Sequence, residues 1–171
     1  MVFGWLGRHV GVRWVHRLMW LTQAKFVVSV AIVVFHQEQV LFLRHSYRPR
    51  YPWGLPTGWV RPSETPEEAA LREVAEEAAI CLERVDWVAS QRPTAHHLQL
   101  TYRGEVSTAL AVGPSGDGEI LEGRWLSLGD WPDGLLPSQV ALIEAASTAR
   151  NRMGGIHRQP VSGERCQSPK D

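Results

Sequence analysis

Residues 58–80 read GWVRPSETPEEAALREVAEEAAI, and this stretch decides the fold. Thr65-Pro66-Glu67-Glu68 supplies a capping hydroxyl, a proline at the first helical position and a glutamate three residues past the cap. Together these start an α-helix. Leu71, Val74 and Ala78 recur at i, i+3 and i+7, with Ala70 and Ala75 on the same side, so the spacing predicts an amphipathic helix over 66–78. Glu64, Glu67, Glu68, Glu73, Glu76 and Glu77 are six of the chain's 18 acidic residues. Glu73, Glu76 and Glu77 stand at i, i+3 and i+4 and share one helix face. Left alone they repel, by about 0.2–0.5 kcal/mol per pair. Arg72 offsets part of this, being four residues from both Glu68 and Glu76. Two uses fit such a face: a solvated acidic surface, or a site for a hard cation such as Mg²⁺, which takes oxygen ligands and keeps several waters.

Outward from the helix, residues 26–35 (FVVSVAIVVF) and 40–44 form two apolar runs joined by His36-Gln37-Glu38-Gln39, read as a β-hairpin with a four-residue connection. Residues 45–56 (HSYRPRYPWGLP) are a proline-rich loop leading into Thr57-Gly58-Trp59-Val60. Residues 82–92, 98–107 and 123–128 read as strands, and 137–150 as a last helix. Residues 151–171 have little to bury and read as a disordered polar tail. The organisation is therefore a basic amphipathic segment over 1–25, a domain over 26–150 and the tail. Strands interleaved with helices make the domain α/β or α+β with a mixed sheet.

Composition narrows the function. Lysine plus arginine equals aspartate plus glutamate, at 18 each, which argues against stable nucleic-acid binding. The two cysteines, Cys81 and Cys166, make no disulfide framework and suit a reducing, cytoplasmic setting. The longest apolar run is about half of the ~20 residues that span a bilayer. Residues 1–25 carry Arg8, Arg13, Arg17 and Lys25 as their only formal charges, and lack the plan of a signal peptide. Such a segment either packs on its own domain or makes a peripheral contact with an anionic membrane.

Between residues 58 and 80 the pattern is Gly58, five residues, Glu64, seven residues, Arg72-Glu73-Val74, one residue, Glu76-Glu77, one residue, Ala79-Ile80. This resembles the Nudix box, the signature of the Nudix hydrolases, at eight of its nine specified positions. The apolar hairpin and Trp53-Gly54-Leu55-Pro56 ahead of it are similar to the family as well. The resemblance implies an α/β/α sandwich with a mixed sheet. It also implies hydrolysis by an activated water of the diphosphate bond in a nucleoside diphosphate derivative or nucleotide, with Mg²⁺ or Mn²⁺. Glu73, Glu76 and Glu77 would then bind metal, together with the backbone carbonyl of Thr57. Glu64 would assist from the loop and Arg72 would hold the glutamates in place. Three positions depart from the pattern. Ala79 replaces the closing glycine, at about 1–2 kcal/mol if it is left-handed; Thr57 replaces an entering glycine; and Ser63 precedes Glu64. Ala79 and Thr57 keep open a catalytically weak or idle nucleotide-binding module on the same fold.

Arg44, His45, Tyr47, Arg48 and Arg50 form a basic, aromatic loop suited to phosphates and a base, or else a solvated surface. Trp53 and Trp59 are read as packing residues. His96 and His97, adjacent before a strand, point to opposite faces and are not read as a metal pair. Cys81 is read as a small buried side chain. The family also often places an acid or base ahead of a late strand, shortly before a tryptophan. The matching stretch GEILEGRW, residues 118–125, offers Glu119 and Glu122. Glu119 is favoured because it adjoins the glycine-rich run 113–118, whereas Glu122 has Arg124 as a ready partner.

Overall fold

The computed structural model describes residues 12–153 and the strand Glu164–Arg165. Helix α1 (Val12–Thr22) leads to β1 (Val27–His36), β2 (Gln39–His45), β3 (Trp53–Gly54) and β4 (Thr57–Trp59). Helix α2 (Pro66–Ala78) follows, then β5 (Ile80–Cys81), β6 (Asp86–Thr94), β7 (His97–Glu105), β8 (Ile120–Ser127), α3 (Pro137–Met153) and β9 (Glu164–Arg165). The main sheet has seven strands. At its centre β1 pairs parallel with β7 and antiparallel with β4 and β2, and β8 joins the far side of β2.

The unbroken apolar run of β1 is buried on both faces, as a central strand requires. Val30, Ile32 and Val34 join the core that includes Ala70, Val74 and Ala78 of α2. Ala31, Val33 and Phe35 join a second core with Leu142, Ile143 and Ala146 of α3. Helix, mixed sheet and helix thus form the expected α/β/α sandwich.

Several boundaries differ from the reading above. The hairpin turns through Gln37 and Glu38 alone, because Gln37 takes φ 51° and lets His36 pair with Gln39. The strand expected from Leu82 begins at Asp86, and Pro93 falls inside it. The proline sits where the β6–β7 register shifts, on the edge strand β6, and there its missing N–H costs no ladder bond. Strand β8 starts three residues early, and α3 continues through Asn151–Met153. Residues 154–163 and 166–171 of the expected tail lie outside the described residues, while Glu164–Arg165 pair with Ile80–Cys81. Cys81 is disulfide-bonded, which overturns the expectation of reduced thiols. Helix α1 has no buried residue, so packing on its own domain does not account for it.

Candidate active site

Strand β4 delivers Thr57, Gly58 and Trp59 to the middle of the sheet through Ala31↔Thr57, Val30↔Gly58 and Ser29↔Trp59. The chain turns and α2 packs back over the strand. Thr65 caps the helix through the Glu68 amide, and the Glu68 carboxylate returns a bond to the Thr65 N–H at 2.7 Å. Glu68 is thereby committed to the cap, and the bond expected between it and Arg72 is absent. At the other end Ala79 adopts φ 54°, ψ 32°, left-handed as its place at the close of the helix demands.

Arg72 organises the carboxylates. Its guanidinium donates to Glu64 at 2.7 and 3.0 Å, to Glu73 at 2.6 Å, to Glu76 at 2.9 Å and to the Trp59 carbonyl at 3.0 Å. The paired bonds from Arg72, with a further bond from the Arg61 N–H, hold Glu64 down to about 2. Glu73 is half-buried against β4, and a side chain at position 58 would overlap its carboxyl group. A larger residue there would push the Glu73 carboxyl out of its place beside Arg72. Burial raises the Glu73 carboxyl, and Arg72 opposes the rise.

Glu77 behaves differently. It turns inward, and its carboxylate accepts the Thr57 N–H at 3.0 Å. Burial pushes it up to about 8, reinforced by the charges of Glu73 and Glu119 and opposed by the Thr57 bond and Arg48. Repulsion among the three helix glutamates is therefore resolved unequally. Arg72 pairs with Glu73 and Glu76, while Glu77 turns away to the Thr57 N–H.

A cleft of about 860 Å³ opens over this face. Glu73, Glu76 and Glu77 line one wall, and Tyr47, Arg48 and Arg50 approach from the proline-rich loop. Arg48 donates to Tyr47 Oη and to Thr57 Oγ1, both at 3.2 Å, which ties the loop to the helix entry. Glu119 lines the cleft beside Ser115 and Asp117, whose carboxylate accepts the Glu119 N–H at 3.0 Å. Glu122 instead meets Arg124 at 3.1 Å and Arg44 at 3.5 Å. Arg44, expected at the substrate, lies outside the cleft because β2 and β8 pair Arg44 with Glu122.

The cleft also takes in Trp59, read above as a packing residue, and His97, Gln99 and Tyr51, to which that reading gave no role. Trp59 is 56% exposed, and its ring lies 5.0 Å from that of His97. His97 Nε2 is 2.7 Å from Ser29 Oγ. The alternation of β7 was the available signal: His97 and Gln99 are two apart, as residues on one face of a strand must be.

The carboxylates of Glu73, Glu76 and Glu77 and the backbone of Thr57 are all oxygen donors, the chemistry that Mg²⁺ and Mn²⁺ select. Burial is the main cause of the raised Glu77 carboxyl, with the charges of Glu73 and Glu119 adding to it, and a cation among these oxygens would offset both. Among the described residues no three acidic, histidine or cysteine side chains form a preformed cage. The donors therefore fit an open site in which an ion retains waters and meets substrate oxygens.

The NUDIX domain family profile matches residues 25–145. The NAD-capped RNA hydrolase NudC of Pseudomonas entomophila is 30% identical over 109 residues, covering 61% of this chain and 37% of that protein. The 8-oxo-dGDP phosphatase NUDT18 of Mus musculus is 30% identical over 100 residues, covering 57% and 31%. The chain thus spans about a third of the length of these relatives. The crystal structure of a NUDIX hydrolase from Nitrosomonas europaea superposes with a TM-score of 0.63 at 22% identity, covering 82% of this chain and 77% of that one.

Proposed function

This chain belongs to the Nudix family, and from that premise we propose that it is a divalent-metal-dependent hydrolase of the diphosphate bond in nucleotides or nucleoside diphosphate derivatives. One observation carries the reading: the carboxylate face of α2, the Arg48–Arg50 loop and Glu119 open onto a single cleft. Glu73, Glu76, Glu77 and the Thr57 backbone would hold Mg²⁺ or Mn²⁺. The ion, when bound, supplies charge neutralisation at the diphosphate and polarises its P–O bond.

The other roles fall to the chain itself. Arg48 and Arg50 bind the non-reacting phosphate oxygens. Arg72 positions Glu64, Glu73 and Glu76 without touching substrate. Glu119 takes the proton from a water that attacks phosphorus. The P–O bond to the bridging oxygen breaks, the water's oxygen stays on the attacked phosphorus, and the bridging oxygen leaves on the other phosphoryl group; a substrate with two phosphates gives two monophosphates and a nucleoside triphosphate gives a monophosphate and a diphosphate. Trp59, with His97 beside it, offers a stacking face in the cleft for the base or sugar of the nucleoside. The relatives named for NAD-capped RNA and for 8-oxo-dGDP are named for phosphate-linked nucleosides.

The deciding experiment incubates the full chain with ADP-ribose, NADH, a dinucleoside polyphosphate and nucleoside triphosphates, each with Mg²⁺, Mn²⁺ or EDTA. Release of monophosphate or diphosphate products that requires the metal supports the reading. Tight binding without turnover on every substrate would instead identify an idle nucleotide-binding module.

A further inference from the structure

Helix α1 takes no part in the cleft and no buried part in the domain. Its side chains divide by helical spacing. Trp14, Leu18 and Leu21 form one row at i, i+4 and i+7, and Val12, Val15 and Met19 form the row beside it. Arg13, His16, Arg17 and Trp20 occupy the opposite arc. The apolar rows face solvent: Trp14 is 63% exposed, Leu18 52%, Met19 41% and Leu21 64%. The patch continues past the helix through Phe26 and Val27, both exposed.

An eleven-residue helix is marginal in water on its own and draws its stability from a face that becomes covered. Charge selects what covers it. Residues 1–25 contain four basic residues and no acidic one, and among the described residues no carboxylate pairs with α1. The cations rest against aromatic rings instead: Arg17 lies 5.8 Å from the Trp14 centroid and Lys25 4.6 Å from that of Trp20. An anionic bilayer satisfies both halves at once, because the acyl boundary takes the apolar rows and the headgroups take the arginines. Tryptophan favours that depth.

We propose that α1 docks the protein on anionic phospholipid surfaces, lying in the plane of the interface. No helix among the described residues is long and apolar enough to cross a membrane, so the contact is peripheral. The inference is independent of the hydrolase reading, since none of these residues lines the cleft.

Vesicle flotation of the full chain tests it, with phosphatidylcholine vesicles against phosphatidylcholine–phosphatidylglycerol vesicles. Flotation is expected with the anionic vesicles only, weakening as salt rises. Arg13→Gln with Arg17→Gln should lower vesicle affinity about thirtyfold, at about fivefold per charge. Trp14→Ser with Leu18→Ser and Leu21→Ser should abolish flotation while melting temperature and hydrolysis of a water-soluble substrate stay unchanged. Absence of flotation with anionic vesicles overturns the proposal, as does equal flotation of the triple variant. A lowered melting temperature in that variant would show that the domain covers the helix, and a dimer dissolved by the same substitutions would assign the face to a second copy; either result overturns it.

Discussion

Replacing Ala79 by glycine should stabilise the protein, and the size of the effect follows from one backbone conformation. Ala79 sits at φ 54°, ψ 32°, where a Cβ crowds the following carbonyl at a cost of about 1–2 kcal/mol. Glycine removes that cost but loosens the unfolded chain, which returns about 0.4–1 kcal/mol. The N–H of residue 79 keeps its 3.1 Å bond to the Ala75 carbonyl in either case. The methyl group is only partly buried, so its loss contributes little. The net expectation is about 0.5–1 kcal/mol, or a rise in Tm of roughly 1–4 °C for a chain of this size. Thermal unfolding of Ala79→Gly and Ala79→Val, followed by circular dichroism, measures it. The valine variant should melt below wild type, because a β-branched side chain tolerates this conformation worst. A glycine variant that melts at or below wild type, or a valine variant that matches it, would refute the left-handed cap and the strain assigned to it.

Three further outcomes are expected. Glu77→Gln should cost at least about 10²-fold in turnover and melt no lower than wild type in EDTA. The folded Glu77 carboxyl lies at about 8 against an ordinary 4.5, so its contribution to the stability of the metal-free protein should fall as pH rises between those values, read as the difference between wild type and the glutamine variant across that range. Glu119→Gln should lower kcat by about 10²–10⁴ with little change in Tm, whereas Glu122→Gln should leave kcat near wild type; the reverse order would move the proton acceptor to Glu122. His45 is buried, and burial together with the charge of Arg48 holds it at about 4 against an ordinary 6.5. Stability should be fully present above pH 6.5 and fall by up to about 3 kcal/mol as pH drops through 4, a loss that acid titration of His45→Gln should not show.

Whatever is encoded within one or two helical turns could be read from the sequence. Thr65, Pro66 and Glu68 announce the start of α2, because a cap and its box are closed by residues three apart. Glu73, Glu76 and Glu77 share a face through the helix repeat alone, and the strain at Ala79 follows from its place at the helix end. The run through β1 also marks a strand covered on both sides, since no alternation survives such burial.

Tertiary structure decided how those groups are used. The sequence shows three equivalent glutamates; only the docking of α2 on β4 makes Glu77 a buried carboxyl and leaves Glu73 and Glu76 to Arg72. Arg44 reads like Arg48 until β8 pairs with β2 and brings Glu122 to it, 78 residues along the chain. Trp59 and His97 meet because β4 and β7 flank β1, one antiparallel and the other parallel. Strand order and direction are set by hydrogen bonds between segments far apart in the chain, and local side-chain patterning carries no record of them. The carboxylate helix was therefore legible as a motif, whereas the cleft it serves exists only once the sheet has assembled.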